Sequence, residues 1–200
     1  MPRSKEQFKQ ITDQRRQSIY DAAVKLFAIK GYDSVSVDDI TKASKCSHGL
    51  FYHYFNSKAD LFTIVMNNIR QIWRDNTLKF DTYRDPIVIV KDASDFYLSF
   101  LNGDDYHAYI LYLFLTFHLQ KNLPEIPKTD IPPQERKYNS IPEVIEAGQK
   151  DGTFQEGDAT ELVRAYFACL QGLAYNRIFL GKKFKNISHD TLLNFFLKKA

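Results

Sequence analysis

The chain has 200 residues, 44% of them hydrophobic, with a formal net charge of +3, enough apolar material for one sizeable core or for a small module feeding a larger one. Residues 1–80 carry +5 and residues 81–200 carry −2, so an anionic partner is expected at the N-terminal part. Cys46 and Cys169 are the only cysteines and make neither a CxxC nor a Cys/His ligand spacing, which argues against a disulfide framework or a zinc site; the most apolar run, residues 108–119, is too short to span a bilayer and MPRSKEQFKQ has no signal-peptide core, so a cytoplasmic protein without metal, cofactor or membrane is expected.

From Arg16 the apolar residues Ile19, Ala22, Ala23, Leu26 and Phe27 recur at helical spacing, and Gly31 ends that helix. Ser36, followed by Asp38 and Asp39, reads as an N-cap with acidic residues in the first turn. The second helix should run from about Val37 to Ser44 and bury Ile40 and Ala43. Lys45 and Cys46 leave room only for a tight turn before Ser47, a second N-cap candidate, opens a short third helix through Tyr54 or Phe55. Two short helices joined in this way form the helix-turn-helix pattern. Ser57 can cap a fourth, longer helix from Lys58 to about Lys79, whose apolar side carries Leu61, Val65, Ile69 and Trp73.

The remainder is also expected to be helical. Pro86 suits the first turn of a helix reaching Leu101, with Ile89, Ala93, Phe96, Tyr97 and Phe100 on one stripe. A turn at residues 102–105 leads to a helix apolar nearly all round, hence buried. Residues 123–133 hold four of the seven prolines and read as a loop. Three helices close the chain: Gln134 to Lys150, Asp158 to Leu180 and Ser188 to Lys198. No strand alternation, repeat or low-complexity tract is present, so the fold class is all-α.

On a helix from Ser47, Leu50, Phe51 and Tyr54 share one side with Phe55 beside them, and His48, Gly49, Tyr52 and His53 face away. An outward face of glycine, tyrosine and histidines suits a helix in the DNA major groove, where small residues permit close approach and Tyr or His bonds phosphates or base edges. Lys58 adds a cation at the N-terminus of the next helix, itself an anion-attracting end. The alternative is that these aromatics are ordinary core of a helical protein.

The run RQSIYDAAVKLFAIKGYDSVSVDDITKASKCSHGLFYHYFNSKADLF, residues 16–62, resembles the N-terminal domain of the TetR (TetR/AcrR) family of bacterial transcriptional regulators. The resemblance lies in A…LF…GY, the capped second helix ending I-T-K-A, and above all S-x-G-x-x-Y-x-Y-F-x-S-K-x-x-L from Ser47 to Leu61. It implies that His48, Gly49, Leu50, Tyr52, His53 and Tyr54 stand where family members touch bases or phosphates, and Lys58 at a phosphate-binding position. Ser36 matches the cap of the second helix, which often adds a backbone contact. Lys45 and Cys46 stand where glycine and valine are usual, and Lys45 is a further candidate for a phosphate contact beside Ser47.

The resemblance also implies a helix-turn-helix DNA-binding domain over residues 1–57. Residues 58–200 would form a helical ligand-binding and dimerisation domain, pairing through its last two long helices. Gly172 and Ala174 either admit a second helix across such an interface or pack within the monomer. A dimer is expected on independent grounds, because one short recognition helix reads only a few base pairs and two related by a twofold axis read a palindrome. The aromatic C-terminal part offers Trp73, Phe96, Phe100, Tyr109 and Tyr112, then Phe117, Phe167 and Tyr175, as walls of a pocket for an apolar or aromatic effector, or as core. His118 and Gln171 are its candidate polar groups, unless His118 is satisfied by a carbonyl.

An enzyme is not expected, because there is no HExxH, no G-x-S-x-G and no Gly-rich phosphate loop. His48 and His53 lie roughly 140° apart on a helix, poor for sharing a metal. The expected function is therefore a ligand-responsive regulator, a repressor released from a palindromic operator on double-stranded DNA by its effector. The competing reading is a helical interaction protein of the same fold that no longer reads DNA.

Overall fold

The computed structural model of the protein describes residues 5–77, 84–119, 123–125 and 140–198. The described residues form helices and turns joined by one isolated antiparallel bridge. They fall into two compact units, residues 1–70 with 116–127, and residues 71–115 with 128–200. The expected proline-rich loop at 123–133 and the first turns of the expected helix from Gln134 lie mostly outside the described residues.

In the first unit α1 (Lys5–Lys30) starts eleven residues before Arg16, where the expected helix begins, because Lys, Glu and Gln carry the helix on without a breaker. Its buried side is Ile19, Tyr20, Ala23, Val24, Phe27 and Ala28. Ala22 and Leu26 are only half-buried, so the core-facing line is turned slightly from the expected one. Gly31 stops the helix at φ 76°, its amide donating to the Phe27 carbonyl at 3.0 Å, the left-handed cap that glycine adopts without a Cβ penalty.

Next, α2 (Val37–Ser44) packs on α1, and α3 (His48–Tyr54) packs on α2. In α2 the expected burial of Ala43 is corrected: Ala43 is exposed, and Thr41 and Ser44 are buried beside Ile40. The two hydroxyls can go inside because their own helix satisfies them. Thr41 Oγ1 donates to the Asp38 carbonyl at 3.0 Å and Ser44 Oγ to that of Ile40 at 2.7 Å, which removes most of the cost of burying them.

Helix α4 (Lys58–Thr77) crosses from the first unit to the second between Arg70 and Gln71. Within the first unit its Phe62 ring meets Phe27 edge-on at 5.1 Å, and Asn68 donates to the Tyr20 hydroxyl at 3.2 Å. Leu61, Val65, Met66 and Ile69 are fully buried along the same helix.

The second unit holds α5 (Pro86–Leu101), α6 (Asp105–Thr116, whose last residue belongs to the first unit), α7 (Ile141–Lys150), α8 (Ala159–Leu180) and α9 (His189–Leu193). α5 packs against α7, α8 and α9. α6 is buried on several sides, through Ala108, Ile110, Leu111, Leu113 and Leu115. Arg177 near the end of α8 donates to the Asp105 carboxylate and the Gly103 carbonyl, both at 2.9 Å.

α7 begins at Ile141, where Ser140 caps it and Pro142 occupies the first turn, a position proline favours; residues 134–139 of the expected helix lie outside the described residues. The last helix was expected to reach Lys198 and ends at Leu193. Beyond it the chain finds backbone partners in the α7–α8 connection: Gln155 N–H donates to the Phe196 carbonyl at 2.9 Å and Lys198 N–H to that of Thr153 at 3.2 Å, around the Phe154–Leu197 bridge.

That junction rests on Gly148. The Phe154 amide donates to its carbonyl at 2.8 Å, and a Cβ there would lie 2.2 Å from the ring of the fully buried Phe154. Gly148→Ala is expected to lower the stability of the second unit by about 1–3 kcal/mol through overpacking, read as a reduced urea midpoint.

Candidate functional site

The reading surface is built by two caps and a turn. Ser36 and Asp39 form a reciprocal capping box at α2: Ser36 Oγ accepts from the Asp39 amide at 3.1 Å, and the Asp39 carboxylate accepts from the Ser36 amide at 2.9 Å and from its hydroxyl at 2.6 Å. These bonds satisfy donors that the helix leaves unpaired. They also hold the Asp39 carboxyl down to about 2, with Lys30 adding a smaller pull.

At the far end Lys45 adopts φ 52°, ψ 45°, a left-handed conformation that costs a non-glycine residue about 1–2 kcal/mol. The turn closes nonetheless, with Lys45 N–H donating to the Lys42 carbonyl and Cys46 N–H to that of Thr41. Ser44 Oγ lies 3.2 Å from the Cys46 sulfur. Ser47 then caps α3, its Oγ accepting from the Leu50 amide at 3.1 Å.

α3 divides as its sequence predicts. Phe51 is completely buried and Phe55, just past the helix, nearly so; Leu50 and Tyr54 are half-buried; His48, Gly49, Tyr52 and His53 are exposed, Tyr52 to 54%. A Cβ on Gly49 would meet only Ser47 Oγ, at 3.9 Å. Nothing among the described residues therefore asks for glycine in this helix, where it costs about 0.5–1 kcal/mol relative to alanine.

His48 Nε2 lies 3.3 Å from Asp38 Oδ1, and Asp38 also pairs with Lys42. Hydrogen bonds from Lys42 first and His48 second hold the Asp38 carboxyl below its ordinary range. Sequence reasoning missed this acid beside the outward face. The spacing Asp38, Lys42 is a helical i, i+4 pair and was legible; its approach to His48 depends on the turn.

Three candidates serve the fold first. The hydroxyls of Ser36 and Ser47 are used by the caps. Lys58 donates to the Tyr32 carbonyl at 2.9 Å, with its ammonium 4.1 Å from the Tyr32 ring centre. The N-terminus of α4 is also occupied from within: Asp60 N–H donates to Ser57 Oγ at 3.0 Å, and the Asp60 carboxylate accepts from the Asn56 amide at 2.9 Å.

The second unit contains a cavity of about 120 Å³. Trp73 of α4, Ile89, Val90, Ala93, Phe96 and Tyr97 of α5, Ile141 and Val144 of α7, and Tyr166 and Phe167 of α8 line it, with Phe196 from beyond α9. Trp73, Phe96 and Phe167 of the expected ligand set thus come together. The others are not in this wall. Phe100 is buried against Trp73, ring centres 5.2 Å apart. Tyr109 is half-buried, and Tyr112 packs at 6.3 Å on Tyr175, which is 47% exposed on α8.

Phe117 belongs to the first unit, under the Arg70 guanidinium. Gln171 donates to the Leu115 carbonyl at 2.9 Å, and the side chain of His118 lies outside the described residues. The aliphatic wall at Val90, Ile141 and Val144, and the aromatic rings of Tyr166 and Phe196, went unpredicted because core and cavity residues share one helical stripe. Burial raises the Tyr97 and Tyr166 hydroxyls above the ordinary tyrosine range, so both stay neutral.

Residues 19–64 match the profile of the bacterial regulatory proteins, tetR family. The HTH-type transcriptional regulator AcrR of Shigella flexneri is 32% identical over 88 residues, covering 42% of this chain and 40% of that protein. The chain spans 19–44% of the length of the curated relatives it first matches. Among solved structures, a gamma-butyrolactone receptor (ArpA-like protein) is similar with a TM-score of 0.62 and 18% identity over 91% of this chain and 83% of that one. AibR, in complex with isovaleryl coenzyme A and operator DNA, is similar at 0.56 and 15%, over 90% and 94%. At such identities the likeness establishes the fold.

The Asp39 box carries a pH signature. With the folded carboxyl near 2 and its ordinary value at 3.8, Asp39 contributes stability that is complete above about pH 4 and lost as pH falls through about 2. Urea titrations between pH 5 and 2 should show the wild type losing its advantage over Asp39→Asn across that window; parallel curves would mean the box contributes nothing.

Proposed function

We propose that the chain, whose residues 19–64 match the bacterial regulatory proteins of the tetR family, is a ligand-responsive transcriptional repressor that reads a palindromic operator as a homodimer. The observation that carries this reading is the outward face of α3. His48, Gly49, Tyr52 and His53 are exposed together, and Gly49 has no internal packing partner. An exposed glycine there is accounted for by the close approach of something outside the chain, and a major groove suits the residues around it. Lys42, Lys45 and the basic excess of residues 1–80 supply the attraction to phosphates.

Homodimerisation is supported by α8. Ala174 is buried within the monomer, whereas Gly172 is exposed with no atom within 4 Å of its would-be Cβ. Cys169, Tyr175, Phe179 and Leu180 extend that exposed face. A long helix with a bare apolar side and a glycine at its middle suits a second copy of itself.

The effector acts by shifting populations: a small molecule in the cavity favours a dimer whose recognition helices are mis-spaced for successive major grooves. Helix α4 carries the shift, since one continuous helix begins just after α3 and contributes Trp73 to the cavity wall. AibR, similar in fold, was solved in complex with isovaleryl coenzyme A and operator DNA, which supports a regulator that takes a small molecule as well as DNA.

Selection of bound sequences from a random duplex library tests the reading. An enriched palindrome with half-sites about 10 base pairs apart, bound with an affinity that falls steeply with salt, is expected. No enrichment, with binding at low salt alone, would identify a helical protein that does not read DNA. Gly49→Ala should separate the two roles of α3, raising stability by about 0.5–1 kcal/mol while weakening operator binding at least about tenfold. Tyr52→Phe should weaken binding with helical content and dimer unchanged; a collapse of folding would make Tyr52 a core residue.

A further inference from the structure

We infer that the effector is an uncharged, hydrocarbon-like molecule of about one aromatic ring, held in the cavity between α5, α7 and α8. The inference rests on the ligand-responsive reading above and narrows it to a chemical class.

Size sets the first limit. The cavity volume is about 120 Å³, somewhat below the roughly 150 Å³ of an engineered apolar cavity that binds benzene, and well below the roughly 300–1,000 Å³ of sites for drug-sized molecules. A single ring fits within this volume, and a fused ring system does not.

Charge sets the second. Among the described residues lining the cavity there is no Asp, Glu, Lys, Arg or His. Its polar side chains are two tyrosines and a tryptophan. The Tyr166 hydroxyl is already engaged by the fully buried Ser94 at 3.2 Å, and Tyr97 is kept neutral by burial. A carboxylate or ammonium entering here would leave water without a counter-charge, and would bind far more weakly than its neutral counterpart.

Shape agrees with a flat guest. Phe96 and Phe167 come from different helices, and Trp73 is already stacked on Phe114 at 3.8 Å. Rings of this kind receive another ring edge-on or offset. Ile141, 44% exposed at the first position of α7, stands in the same wall, and gives the cavity an aliphatic rim. Ala93 on α5 is the smallest lining side chain, so it is the position where added carbon takes up the most of the space a guest would use.

The test is thermal unfolding and calorimetric titration of the full chain with toluene, benzoate and benzylamine, on the wild type and on Ala93→Leu. Toluene should raise the Tm, with benzoate and benzylamine at least about tenfold weaker. Ala93→Leu should abolish the toluene shift without lowering the Tm of the ligand-free protein. Should Ala93→Leu fail to fold, Val144→Phe closes the cavity from α7 and must give the same loss. Benzoate or benzylamine binding as tightly as toluene would overturn the inference, as would toluene binding that survives both variants, or no toluene binding to the wild type. Operator affinity is measured in the same samples. Toluene that binds in the cavity and leaves operator affinity unchanged upholds the ligand class and overturns the regulatory reading instead.

Discussion

Burial of Phe51 and Phe55 is the interaction on which the rest of the N-terminal unit depends. Helix α3 has seven residues, too few to be stable in water on its own account. It exists because Phe51, fully buried, and Phe55, nearly so, anchor one side of it, their rings 5.8 Å apart with the Arg16 guanidinium over Phe55. Every residue on the opposite side is thereby turned outward. The exposed His48, Gly49, Tyr52 and His53 are a geometric consequence of two phenylalanines pointing in.

Around that anchor, most polar groups of the helix-turn-helix are engaged by the chain itself. Ser36, Asp39, Ser47, Ser57 and Asp60 each close a helix end, and Lys58 ties the start of α4 to the α1–α2 connection through the Tyr32 carbonyl. This precision has a cost at Lys45, held in a left-handed conformation that glycine would adopt freely. What remains for an outside partner is the exposed set His48, Gly49, Tyr52 and His53, carried on a framework whose polar groups are already engaged, with His48 itself oriented toward Asp38. A contact surface whose side chains are already oriented loses less conformational entropy on binding.

The second unit solves a different problem. Trp73 stacks on Phe114, and Phe96, Tyr97, Tyr166 and Phe167 surround a residual space. The end of the chain completes the wall, Phe196 being carried in by the Phe154–Leu197 bridge. α8 meanwhile presents two unlike faces: Tyr166, Leu170 and Ala174 inward, and Cys169, Gly172 and Tyr175 outward. One helix thus bounds the cavity on one side and offers an apolar surface on the other.

Features legible in the sequence were those written in local chemistry. Capping serines at 36 and 47, Gly31 past a helix and Pro86 at a helix start mark boundaries because unpaired backbone groups and φ restrictions act within a few residues. The inward and outward sides of α3 were legible for the same reason, since seven residues leave little freedom of phase. Tertiary structure alone decided the rest. It turned α2 to bury Thr41 and Ser44 in place of Ala43, ended α9 at Leu193 because the chain found partners in a distant loop, and engaged Lys58 with Tyr32, twenty-six residues away. It also sorted the aromatics, bringing Trp73, Phe96 and Phe167 to one cavity and leaving Tyr175 outside. A ring on a helical stripe buries equally well against core or cavity. Which one it meets is set by helices far apart in sequence, and no local pattern records their packing.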